Sequence, residues 1–102
     1  MSKGHAQWLL CGLFVVTLLL PGCASYPAPT EQLVSSRTAI AVALEAGATQ
    51  FAAAELESAQ EKAKLSERWI AAGDYQPARW LAEQAQVDAE LAALKALSAR
   101  AH

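Results

Sequence analysis

The chain has 102 residues, 54% of them hydrophobic, and a formal net charge of −2. That length allows at most one small domain. The charge balance provides neither a basic patch for nucleic acid nor a strongly cationic helix face for a membrane surface.

Residues 1–22 have the layout of a secretory signal. Lys3 stands beside the amino terminus, an apolar stretch runs from Trp8 to Leu20, and small residues follow. A spanning helix needs about 20 apolar residues to cross ~30 Å of hydrocarbon, and Pro21 and Gly22 break any continuation. A cleaved signal is therefore the expectation. Leu20-Pro21-Gly22-Cys23 resembles the lipobox of bacterial lipoproteins: a branched apolar residue, a variable one, a small one, then cysteine. The resemblance implies a thioether-linked diacylglyceride on Cys23, cleavage before it, and acylation of the new amino terminus. At about 0.8 kcal/mol per buried methylene, three acyl chains would hold the chain firmly to membrane lipid. By the sorting rule of such lipoproteins, Ala24 in place of aspartate points to the periplasmic face of the outer membrane in a bacterial envelope. An ordinary signal leaving a free thiol at Cys23 is the alternative.

Processing would discard Cys11 and His5 and leave one cysteine and one histidine, His102. That set supports no internal disulfide, no zinc site and no histidine-activated nucleophile, and Gly47 and Gly73 stand too far apart for a phosphate loop. Glu55, Glu57, Glu61 and Glu67 alternate with Lys62, Lys64 and Arg68. They read as a solvated helix face with local pairs such as Glu61 with Lys64, not as a facing catalytic pair. No catalytic residue, metal ligand or cofactor is expected, and the chain reads as a non-enzyme.

After Cys23, residues 23–30 ("CASYPAPT") form an extended, lipidated tether, because two closely spaced prolines resist helix. Residues 31–102 read as an all-α domain: a small antiparallel three-helix bundle, or helical hairpin, with a long C-terminal helix. Thr30 is placed to cap the first helix, Glu31 to Ala46, with Leu33, Arg37, Ile40 and Leu44 on one face and Gly47 as its stop. "ATQF" is the connection.

The second helix is expected from Ala53 to Ala72. Leu56, Ala59, Ala63 and Ile70 make its main stripe, and Leu65 and Trp69 a second patch. Gly73 suits a left-handed residue after the last turn, Asp74 the next cap, and Pro77 the first turn of the third helix. That helix, Tyr75 to Ala101, has two apolar faces. Trp80, Val87, Leu91 and Leu94 share a narrow sector, and Leu81, Ala85, Ala89, Ala92, Ala96 and Ala99 lie opposite. Glu83, Gln86 and Glu90 separate the faces on one flank, Asp88 and Lys95 on the other. The alanines suit close packing on the second helix. The bulky stripe then covers the first helix or meets something outside the chain. The end of the long helix, with Leu94 and Leu97, is expected to overhang its neighbours.

The residues Glu55-Leu56, Ala59, Ala63, Gly73-Asp74-Tyr75, Ala78, Leu81-Ala82, Ala85 and Asp88-Ala89 together resemble the family of the domain of unknown function DUF4398. The likeness covers about residues 31–92. It implies a short helical lipoprotein domain of bacterial envelopes, with no established activity or catalytic residue to carry over. Family members often have a proline before the second helix, where this chain has Ala52-Ala53. Gly73-Asp74-Tyr75 also resembles the turn inside a tetratricopeptide repeat, but stacking needs about three repeats. Two functions follow as expectations. One is contact with an envelope protein or a second copy through Trp80, Val87, Leu91 and Leu94. The other is capture of a peptide or peptidoglycan strand in a groove between the second and third helices, near Trp69, Tyr75 and Trp80.

Overall fold

The computed structural model describes residues 27–102, and all of its regular structure is helical. The expected signal, Leu20, Pro21, Gly22 and Cys23, and most of the tether, lie outside the described residues. Four helices follow one another: α1 (Thr30–Ala46), α2 (Ala48–Phe51), α3 (Ala53–Ala71) and α4 (Tyr75–Ala101). The sequence suggested three; the connection "ATQF" is itself one helical turn, α2. It buries Ala48, and Ala52 behind it (φ −151°, ψ 45°) leaves helical geometry and starts α3 without a side-chain cap.

The helix ends follow from local chemistry. Gly47 and Gly73 are the only residues with positive φ among those described, at 96° and 80°. At Gly73 the turn is a Schellman motif: the Asp74 N–H donates to the Trp69 carbonyl and the Gly73 N–H to the Ile70 carbonyl, satisfying acceptors that α3 cannot reach itself. Asp74 takes the cap position of α4, although its side chain makes no capping hydrogen bond. Thr30 does not cap α1 as expected. The helix begins one residue earlier, with buried Pro29 in the cap position and its carbonyl accepting the Leu33 N–H at 3.1 Å. Proline at a helix start loses nothing, since a donor there would have no partner.

The helices run up, down and up. The Arg37–Glu67 ion pair sets α1 antiparallel to α3, and Arg100 Nη1 donates to the Ala46 carbonyl at 3.0 Å, setting α1 parallel to α4. The same contact places a cation on the C-terminal, negative end of the α1 dipole. The core is alanine. Every buried hydrophobic residue in α1 to α4 except Leu56 and Leu81 is an alanine, as is Ala52 between the helices. On α4 the buried set is Ala78, Leu81, Ala82, Ala85, Ala89, Ala92, Ala93 and Ala96. Their methyl groups let helix axes approach to the near end of the usual range of about 8–10 Å.

The small-residue face of α4 therefore serves two neighbours. It packs on α3, as its spacing implied, and also on α1, where Ala92, Ala93 and Ala96 join Ala43 and Ala46. The expected overhang of α4 is absent, because α1 covers its C-terminal half. The core face of α1 is also turned from the one expected. Ser36, Ala43 and Ala46 are buried, Leu33 and Ile40 half-buried, and Arg37 and Leu44 exposed. On α3, buried Ser66 replaces Ile70 in the stripe, its hydroxyl donating to the Ala78 carbonyl at 2.7 Å.

Charges on α3 pair across helices. Glu55 pairs with Lys95, Glu67 with Arg37, and Lys62 with Asp88 at 2.7 Å. Ser58 donates to the same Asp88 oxygen at 2.8 Å. Partial burial raises the Asp88 pKa, but the hydrogen bonds from Lys62 and Ser58 together outweigh it and hold the carboxyl below its ordinary range. A carboxylate with a depressed folded pKa stabilises above its unfolded pKa of about 3.9 and loses that contribution as pH falls through the folded value. Urea midpoints should therefore drop as pH is lowered from about 5 to 3. Asp88→Asn should flatten that slope and cost about 1.5 kcal/mol at pH 7, the lower end for hydrogen bonds to a charged group. An unchanged slope would show that Asp88 does not link folding to pH.

Candidate functional site

Burial on α4 is inverted relative to side-chain size. At 100° per residue the alanine face centres opposite Trp80, Val87, Leu91 and Leu94, and those four side chains are between 48% and 65% exposed. Of the two places the sequence left open for this stripe, the intramolecular one is taken by alanine. α1 and α3 flank the small face and leave the bulky one to solvent. Large apolar side chains arrayed in a row on a surface mark a contact site, whereas scattered ones need no explanation.

The patch extends beyond the expected residues. Leu97 of α4 and Val34 and Val42 of α1 are also more than half exposed. With Leu94 they line an open groove of about 660 Å³ between α1 and α4. Ser35, Thr38, Gln86 and Glu90 supply its polar edge. Val34 and Val42 could not be assigned from sequence, because their spacing places them off the face that Leu33 and Ile40 define. Only knowing that α1 lies parallel to α4 brings them beside Leu94.

The two polar flanks of α4 divide by neighbour. Asp88 and Lys95 meet Lys62 and Glu55 of α3. Glu83, Gln86 and Glu90 lie on the α1 side, where Gln86 donates to Glu90 at 3.0 Å. The hydrogen bond from Lys95, ahead of smaller effects, lowers the Glu55 pKa, so this flank carries paired charges at neutral pH. The other flank carries net negative charge.

Trp69 and Tyr75 bracket the α3–α4 turn, with Trp69 38% exposed and Tyr75 half-buried. Neither they nor Trp80 line the α1–α4 groove. Among the described residues, no three or more His, Cys, Asp and Glu side chains gather as metal ligands, and no helix is long and apolar enough to cross a membrane. The candidate site is an apolar row about 21 Å long from Trp80 to Leu94, acidic along one side and charge-paired along the other.

A family model described as a domain of unknown function, DUF4398, matches residues 31–102. No curated protein and no solved structure matches the chain.

Proposed function

The chain belongs to the DUF4398 family, whose domain has no assigned function, and from that premise we propose that it is a non-enzymatic lipoprotein of the bacterial cell envelope that works by contact. Cys23 carries the lipid anchor, Leu20-Pro21-Gly22 the cleavage motif, and the helical domain stands at the periplasmic face of the outer membrane. The observation that carries this reading is the exposure of Trp80, Val87, Leu91 and Leu94 opposite a closed alanine core. Aromatic and large aliphatic side chains of this kind are the anchors of protein interfaces.

In-cell photo-crosslinking tests it, with the probe at Leu94 and a control probe at exposed Lys64 on α3. A discrete adduct at Leu94 and none at Lys64 is expected, and Cys23→Ser should move the chain out of the membrane fraction. Loss of membrane attachment without loss of the adduct would separate the anchor from the contact. The absence of any adduct at Leu94 would remove the contact reading.

The groove between α1 and α4 favours a second reading, capture of an extended peptide or peptidoglycan strand by its apolar walls and polar edge. It lies on the opposite side of α4 from the groove anticipated near Trp69 and Tyr75. Saturable binding of such fragments, lost on Val42→Glu, would favour this over protein contact.

A further inference from the structure

We infer that the occupant of the exposed stripe is α4 of a second copy of the chain, lying parallel to the first; this rests on the contact reading above. The spacing is that of a two-helix seam. Trp80, Val87 and Leu94 recur every seven residues, and Gln84, Leu91 and Ser98 follow each of them by four. These are the d and a positions of a heptad, displayed on the one side of α4 that no other helix covers. Half-buried Gln84 at an a position fits the polar residue that fixes register in such pairs.

Charge selects the orientation. Glu83 and Glu90 fall at g positions, Asp88 and Lys95 at e positions. In a parallel pair each g position meets the e position five residues on in the partner helix, so Glu90 of each copy meets Lys95 of the other and Glu83 meets Asp88. Both e residues are already paired within their own chain, Lys95 with Glu55 and Asp88 with Lys62, so each acidic edge faces a charge-paired one. In an antiparallel pair like flanks meet, and four carboxylates, Glu83 and Glu90 from each copy, would crowd one edge. A parallel pair also keeps both tethered ends on one side, as two chains anchored in one leaflet require. A lipid surface is a poorer occupant, because the stripe runs beside an acidic flank that anionic headgroups repel.

The seam is short. A row about 21 Å long buries less than the ~1,200 Å² total typical of stable interfaces, so the pair is weak in dilute solution and fills where anchoring concentrates the chains.

The test uses the full chain with its own signal, expressed in a Gram-negative host and carrying Val87→Cys, Leu94→Cys, or Lys64→Cys on the exposed face of α3 as control. After mild oxidation, non-reducing gels should show a doubled mass at Val87→Cys and Leu94→Cys at least tenfold above Lys64→Cys. Adding Leu91→Glu should reduce both tenfold with the membrane-bound amount unchanged. Doubled mass at Val87→Cys alone would mean an antiparallel pair and would overturn the inference. No doubled mass at either position, with a Leu94 photo-adduct to a different protein, would overturn the second copy and leave the contact reading standing. No product by either method would end both.

Discussion

Ala89→Leu is expected to destabilise the domain by about 3 kcal/mol, the upper part of the range for overpacking a closed core. Ala89 has no exposed surface and sits among Ala85, Ala92 and Ala93 at the centre of α4, with α1 and α3 both drawn close. An added isopropyl group has no void to enter, so one neighbouring helix must move outward along its length. At about 0.05–0.15 kcal/mol per residue, a domain of this size has roughly 4–11 kcal/mol in total, and the variant would lose a large share of it. Leu94→Ala, which trims a far larger side chain, should change stability by less than about 0.5 kcal/mol, because Leu94 is 65% exposed. Urea unfolding followed by circular dichroism reads both. If Ala89→Leu unfolds at the wild-type urea concentration, the alanine face is not closely packed and the architecture described above is wrong.

Trp80→Ala and Leu91→Glu are expected to do the reverse: keep the fold and lose the contact. Each should weaken association by about thirtyfold or more, the equivalent of a hot-spot loss of about 2 kcal/mol. The urea midpoint should stay within about 0.5 kcal/mol of wild type, since both side chains point to solvent. The readout is the affinity for the species captured at Leu94, titrated with purified chain. Unchanged affinity in both variants would mean that the stripe carries no binding energy.

These two predictions separate what was legible in the sequence from what was not. The α3–α4 turn was written in Gly73 and Asp74, and the start and end of α4 in Tyr75, Pro77 and the long alanine register, because left-handed glycine and helical spacing are local properties. Both faces of α4 were legible too. Which face lay inside was not, since side-chain size alone favours Trp80 and Leu91 as core, while the deciding quantity is how closely two backbones approach. The same competition misdirected α1. Leu33, Ile40 and Leu44 outweigh Ser36, Ala43 and Ala46 in hydrophobicity, yet the smaller set is the one fully buried. Buried Ser66 was hidden for a related reason: its place in the small-residue register after Ala59 and Ala63 was visible, but its acceptor on Ala78 belongs to another helix. Val34 and Val42 needed the parallel placement of α1, which no short-range signal carries.

The parallel course of α1 and α4 has one more consequence. Because Val34 and Gln86 share a groove, and Ala46 lies beside Arg100, the entry of the chain at Pro29 and the Trp80 end of the stripe stand at the same end of the domain. Leu94 stands about 21 Å further along. With the tether fixed in a bilayer as proposed, α4 becomes a graduated rod. Trp80 marks the short reach and Leu94 the long one, so a neighbour's height above the membrane decides which part of the row it meets.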